Sequence, residues 1–583
     1  RFSRDQPIVR YDVRIDPDDT SGWHVEMHLD NMPDTFRLAM AAHPIYDDRY
    51  WRYVEDLRVT TPAGAGVIAR EDSALWRIAA PGGDVTVSYR IRVPPPSAIP
   101  RAAWRPYLSP TGALFGGPHT FMYLPGSELA PAYVRLHVPA GWAVATGLTP
   151  TADSSVFFAP SADVLIDSPI LTGKLHRWMF DVDGVPHTIA YWPAGTTISF
   201  DSVAFVSSIQ KLVREAVTLF GRPPYREYFF LFEDEAYGAL EHINSVSLGA
   251  PQAALAGDPY ASLEETAHEY FHTWNLLRIR PAEYRSVDYR TQPPVAGLWF
   301  SEGLTMFYAD LLLRRAGLPL PDSTRISHLE GLIARYLGNP GDSRFSAEAV
   351  SRLAYNSRPD ALGDYDASTH LQGELLGTMM DLVIRAETQG EHSMDDVMRL
   401  MLERFSGEKG FLGADVEAAV HEVCSCDISP MFEKHVRSGG TVIDFDHYLA
   451  LIGLRARVRL ERVMDGNVPA LDLRVWAWQS PDSILRLTVS DPQSVWGRAG
   501  LHSGDRIVSV NGRTIRSWPE FRTMLRSVRS GEHVRVLVQR DTSSYVGNVV
   551  VRGYAQPVVT IEVVPGITEL QRRLQAQWLR GDG

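Results

Sequence analysis

The sequence predicts a multidomain α+β protein. Three observations carry that expectation: 583 residues exceed one ordinary core, short alternating runs fill the first third, and a helical period replaces them mid-chain before alternation returns. VRYDVRI (9–15), WHVEMHL (23–29) and DVTVSYRIRV (84–93) alternate apolar and polar residues between Gly, Pro and Asp clusters, and read as antiparallel strands. AYVRLHV (132–138), VLIDSPI (164–170) and HTIAYW (187–192) continue the pattern, giving an N-terminal β-sandwich-like domain over 1–195. After Phe200 the period changes. Segments 201–220, 261–278, 298–316, 323–337, 368–386 and 394–406 repeat apolar residues every three or four positions, several ending at Gly. They predict a mainly helical domain over 196–452, with YFFLFED (228–234) as a buried strand of a small flanking sheet. LDLRVWAW (471–478), ILRLTVS (484–490), DRIVSV (505–510) and HVRVLVQ (533–539) restore alternation around one short helix at 519–528. A third compact β domain is expected over 453–560, with a tail at 561–583.

Composition narrows the function. Hydrophobic residues make up 45% and charged residues 22%, the balance of a globular chain. The formal charge of -13 opposes nucleic-acid binding, because no net basic field displaces counterions from phosphates. No apolar stretch reaches the roughly 18 residues that cross a bilayer. The longest greasy run, near Leu298, is broken by Glu302 and Asp310. A chain that begins at Arg1 fits both a removed export leader and simple trimming, so the compartment stays open, periplasmic or secreted ahead of cytoplasmic. Cys424 and Cys426 are one residue apart, a spacing at which a disulfide is expected to be strained and to close almost no loop. Neither a disulfide scaffold nor a Cys-based zinc site is expected.

The segment ETAHEYFHTWN (265–275) carries the chemistry. His268 and His272 are four apart, so on a helix both imidazoles lie on one face and reach one ion. Glu269 beside them is placed to take a proton from a water that zinc has acidified. A catalytic zinc needs a third protein ligand. LWFSEGLTMFY (298–308) supplies Glu302, a carboxylate among aromatic and aliphatic residues where a bare charge is costly to bury unless it meets a cation. One Zn2+ per chain is therefore expected. No G-x-S-x-G elbow, phosphate-binding glycine loop or Cys-x-x-Cys pair supports another chemistry.

HEYFHTWNLLRIRPAEY (268–284) followed by LWFSEGLTMFYADLLLRRAGL (298–318) resembles the glycyl aminopeptidase family of zinc metallopeptidases, which is thermolysin-like with two His and one Glu ligand. VPAGWAVATGL (138–148), DSPILTG (167–173), YGALEHINSVSL (237–248) and MDLVIRAETQGEHSMDDVMRL (380–400) resemble further blocks of that family in the same order. The resemblance implies a thermolysin-like catalytic domain. It also implies that Glu241 of GALEH binds the substrate's free α-amino group, with Gly238 and Ala239 assigned to substrate binding beside it. A carboxylate there favours cleavage after the first residue.

One block departs from the family pattern. Where a Tyr-Tyr-x-Lys-Gly run is usual, this chain reads STHLQG (368–373), which puts Thr369 and His370 at the tyrosine positions and Gln372 at the lysine. His370 is the candidate oxyanion donor in place of the second tyrosine, and strict aminopeptidase specificity is open on this account. WGRAGLHSGDRIVSVNGRTI (496–515) resembles a PDZ domain of the bacterial protease-associated kind, with LDLRVWAW as the strand expected to receive a peptide or protein C-terminus. The leading expectation is an aminopeptidase that removes small N-terminal residues such as Gly or Ala. The alternatives are a zinc endopeptidase or narrow dipeptide hydrolase, and a PDZ-dependent peptide binder with weakened peptidase activity.

Overall fold

A computed structural model describes residues 7–42, 50–95, 101–284, 288–318, 322–355, 358–479 and 484–583. The chain divides into two compact units. One runs to Arg278 and includes Tyr284–Pro293 and Tyr308–Leu318; the other comprises Ile279–Glu283, Pro294–Phe307 and the chain after Leu318.

In the first unit, the alternating runs become Val9–Arg14, Gly22–Met32, Gly83–Arg92 and Ala132–His137, neighbours in an eight-stranded sheet. Their inward positions supply Val13, Trp23, Val25, Met27, Val87 and Val134 to one core, which also takes Phe115, Phe121 and Ile170 from outside that sheet. Period-2 alternation thus does what it predicts, sending every second side chain into a shared interior. VLIDSPI departs from expectation. Ser161 caps a short helix, Ala162–Ile166, by accepting from Val164 N, and only Pro169–Gly173 is a strand. The serine cap and the burial of Leu165 and Ile166 on one side outweigh the strand-forming residue types there.

A five-stranded sheet, ordered His176–Val182, Val185–Trp192, Tyr228–Glu233, Ser245–Gly249 and Ala239–His242, supports the motif helix. Val185–Trp192 pairs in parallel with the YFFLFED strand, so this sheet crosses residue 195, where the sequence places a domain limit. Parallel pairing lets Ile189, Ala190 and Tyr191 bury fully beside Phe230, Leu231 and Phe232.

In the second unit, helices Asp322–Gly338, Thr369–Glu387 and Met394–Phe405 fall where the helical period predicts them, and Gly413–Cys424 is a further helix outside the predicted segments. Thr369–Glu387 is buried on almost every side from Leu371 to Leu382. The PDZ region forms a six-stranded sheet with helix Trp518–Arg526, and its strand Val475–Gln479 lies at the sheet's end. Of the expected strand, Leu471 forms an isolated bridge with Gly553 and residues 472–474 are loop. The chain after 560 is not a free tail: Ala555–Val563 pairs with Leu454–Arg462, and helix Glu569–Arg580 buries Leu574 and Trp578.

Cys424 and Cys426 form a disulfide, against the sequence expectation. Ser425 is left-handed (φ 52°) at the end of helix Gly413–Cys424, and this turn brings the two Cα atoms to 5.1 Å, within the usual disulfide span. Among the described residues, no helix is long and apolar enough to cross a membrane.

Candidate active site

Helix Leu263–Phe271 carries His268 and Glu269, and His272 is its C-cap residue. The expected helix to 278 ends here because Leu276 takes φ 143° and the chain turns away. Arg278 fastens that turn: its guanidinium donates to the carbonyls of Thr273 (2.9 Å), Ile243 (2.9 Å) and Pro224 (3.2 Å). The helix's inner side is anchored by Tyr270, whose hydroxyl pairs with that of Tyr225, which reaches His187 Nε2 at 2.8 Å. Burial pushes the His187 imidazole down to about 4, so it is neutral in this layer.

The two motif histidines face one another. His268 Nε2 and His272 Nε2 are 3.1 Å apart with rings at 89°. His272 Nδ1 lies 2.9 Å from the Asn275 carbonyl, which holds a proton on Nδ1 and leaves Nε2 as the lone-pair nitrogen. Two imidazole nitrogens on one tetrahedral zinc stand about 3.3 Å apart at ordinary Zn–N lengths, so this pair fits a metal without rearrangement. Glu269 Oε1 lies 4.0 Å from His268 Nε2, and both side chains are nearly buried.

Glu241 sits on the edge strand Ala239–His242, opposite Val246 of the neighbouring strand. Ligand atoms of Glu241, Glu269 and His272 lie within 4.8 Å of one another. The hairpin that presents Glu241 is held by blocks distant in sequence. Asp167 accepts from Ile243 N (2.7 Å) and lies 3.3 Å from His242 Nδ1, and Asn244 donates to the Gly147 carbonyl (3.0 Å). The DSPILTG and VATGL segments therefore serve the GALEH turn. Gly238 has φ 72°, and a Cβ there would lie 2.8 Å from the Trp104 ring. Ala239 begins the strand itself.

Glu302 and His370 belong to the second unit. Glu302 lies on helix Leu298–Arg315, whose turns from Tyr308 onward belong to the first unit, where Tyr308 stacks on Phe271 at 4.5 Å. His370 is in the first turn of Thr369–Glu387, with its Nε2 3.2 Å from Glu302 Oε2 and its side chain 49% exposed. Thr369 is buried, and Gln372 donates to the carbonyls of Asp342 (2.7 Å) and Phe345 (2.9 Å). Of the residues at the departing block, His370 is the one open to a ligand. Asp342 also accepts from Ser368 N (2.8 Å), fixing the start of this helix. Burial pushes the Asp342 carboxyl up to about 7.

Asn275, Arg278, Asp167 and Asp342 escape the sequence reading. Asn275 acts through its own carbonyl on His272 three residues before it, and the other three bind backbone groups of other segments, contacts that no residue pattern marks.

Three family profiles match the chain in order: the Peptidase M61 N-terminal domain over 10–174, M61 glycyl aminopeptidase over 261–376, and a PDZ domain over 487–540. A search of curated protein sequences gives no match. An aminopeptidase N family protein from Idiomarina loihiensis shares the fold, with a TM-score of 0.77 and 21% identity over 98% of this chain and 100% of its own. An M1 zinc metallopeptidase from Deinococcus radiodurans is more distant, with a TM-score of 0.47 and 16% identity over 75% of this chain and 94% of its own. The order of the matched modules, with the His268–His272 motif inside the second, makes this chain a peptidase followed by a PDZ domain, similar in its first two modules to the M61 glycyl aminopeptidase family.

Proposed function

We propose that the protein is a zinc aminopeptidase that removes small N-terminal residues such as Gly or Ala from peptides. The observation that carries this reading is the cluster of Glu241, Glu269 and His272, with ligand atoms within 4.8 Å of one another. It sets an acceptor for an ammonium group beside a base, one residue's length from the scissile bond. His268, His272 and Glu302 are the proposed metal ligands, on the motif and on the donor chemistry of two neutral imidazoles and a carboxylate.

Zinc, when bound, supplies the Lewis acidity that polarises the scissile carbonyl and acidifies water. Glu269 takes the proton of the attacking water and delivers it to the leaving amine. Glu241 pairs with the substrate's α-ammonium and so registers the first peptide bond over Glu269. Gly238 and Ala239, at the start of the same edge strand, are assigned to the peptide backbone. His370 donates a hydrogen bond to the oxygen that gains charge. The PDZ domain adds a second peptide-binding surface at strand Val475–Gln479, a sheet end flanked by helix Trp518–Arg526.

The test compares alanyl and glycyl peptides with their N-acetylated forms, and measures zinc in the purified protein and in a His268→Ala, His272→Ala double variant. Free-amino peptides are expected to be cut one residue at a time, acetylated ones to resist, and zinc to be lost with the histidines. Equal cleavage of both substrate forms would identify an endopeptidase and remove the amine-anchor role from Glu241.

A further inference from the structure

The loop that leads into the edge strand of the PDZ domain is filled from within. Asp472 is 2% exposed. Its Oδ1 accepts from Arg474 Nε (2.9 Å) and Arg474 N (3.4 Å), and its Oδ2 from Arg474 Nη2 (3.1 Å) and Val495 N (3.4 Å). The backbone donors of the loop are also engaged. Asp472 N donates to Arg552 O (2.8 Å), Leu473 N to Leu471 O (2.9 Å) and Val475 N to Leu473 O (2.8 Å). With Arg474 N on the Asp472 carboxylate, every N–H from Asp472 to Val475 has an acceptor inside the domain. The one cation of the loop, Arg474, also lies over Tyr554 at 4.5 Å and 3.8 Å from Asp491. The Asp472 carbonyl in turn accepts from the buried Trp496 Nε1 (2.8 Å), which pins the loop to the core.

Domains that capture a chain terminus hold its carboxylate on free backbone N–H groups. Here a carboxylate of the chain itself takes that place. A terminal carboxylate arriving there would meet the Asp472 carboxylate, with each backbone N–H from Asp472 to Val475 already engaged within the domain. An internal segment carries only peptide groups, and the strand Val475–Gln479 has a partner on one side, Leu485–Val489, with helix Trp518–Arg526 beside it. Trp476, 43% exposed on that strand, offers an aromatic face to the side chains of an added strand.

We propose that this PDZ domain binds an internal, extended segment of a polypeptide on strand Val475–Gln479, and that Asp472 shuts out free C-termini. This rests on the PDZ fold and is independent of the peptidase reading. The experiment uses the full chain carrying Glu269→Gln, so that probes are not hydrolysed, and two phage-displayed random decapeptide libraries. In one the decapeptide ends in a free C-terminus, and in the other it is flanked by protein on both sides. Enrichment is expected from the flanked library. A synthetic copy of a selected peptide should bind equally, within about twofold, as acid or amide, and about tenfold more weakly to Trp476→Ala. Asp472→Gly, or Asp472→Asn if the glycine variant does not fold, should admit the free-terminus library. Enrichment confined to free termini on the unaltered loop, a loss of about tenfold on amidation, or no enrichment from either library overturns the proposal.

Discussion

Gly303→Ala should separate Glu302 from His370 and reduce both stability and turnover. Helices Leu298–Arg315 and Thr369–Glu387 meet backbone to backbone at Gly303 and Gly373. A Cβ on Gly303 would fall inside contact distance of Gly373 Cα and Glu374 N, and one on Gly373 would lie 2.8 Å from Gly303 Cα. Carbon atoms rest at about 3.5–4.0 Å, so the alanine requires the helices to part by roughly 1 Å or more. Neither partner can turn aside, since both are main chain. Overpacking of this kind costs about 1–3 kcal/mol, and a rigid partner places the loss at the upper end. Glu302 precedes Gly303 by one residue and His370 precedes Gly373 by three, and their side chains are 3.2 Å apart. A displacement of about 1 Å at reacting groups costs up to about 10² in rate. Gly331 provides the control: it lies on helix Asp322–Gly338 with nothing within 4 Å of an added Cβ. Gly331→Ala should stabilise that helix by about 0.5–1 kcal/mol and leave turnover unchanged. Thermal unfolding and kcat on an unblocked alanyl peptide would be measured for both variants. A Gly303→Ala protein that melts with the parent and turns over within about threefold of it would falsify the close-contact argument.

Glu269→Gln should retain zinc while losing nearly all turnover, because the amide keeps the shape and removes the base; activity within a few-fold of the parent excludes that role. His370→Phe should lower kcat by about 10²–10³ with zinc content and KM little changed, and His370→Tyr should recover part of the loss. An unaltered kcat in His370→Phe places the donor elsewhere. Asp342 links stability to pH. Its carboxyl is raised from 3.8 to about 7 in the folded chain, so the folded state keeps a proton that the unfolded state releases, and this contribution is fully present below about 4 and lost as pH rises through about 7. The unfolding midpoint of the parent should therefore fall more steeply over that window than that of Asp342→Asn; parallel pH profiles would show that Asp342 is not the group responsible.

Much of this architecture is local in origin and was legible for that reason. The strands at 9–14, 22–32, 83–92 and 132–137 and the helices at 202–220, 298–315, 369–387 and 394–405 each answer to a repeat in their own residues. Such repeats decide which side chains can share a face before any partner is known. VLIDSPI and the residues after His272 were less legible, because a single serine cap at Ser161 and a guanidinium at Arg278 redirect the chain against its residue preferences. The Cys424–Cys426 bridge is hidden in the same way: spacing alone does not reveal that Ser425 adopts a left-handed turn.

By itself the sequence determined the module order and the candidate chemistry, since His268, Glu269 and His272 are covalently fixed one helical turn apart. Tertiary structure alone decided what surrounds them. It set His272 Nδ1 on the Asn275 carbonyl, turned the Glu241 hairpin onto Asp167 and Gly147, joined Gly303 to Gly373, and laid Asp472 into the PDZ loop. These contacts pair groups up to 97 residues apart. They follow from shape and hydrogen-bond satisfaction in the folded chain, which only the closed three-dimensional packing specifies.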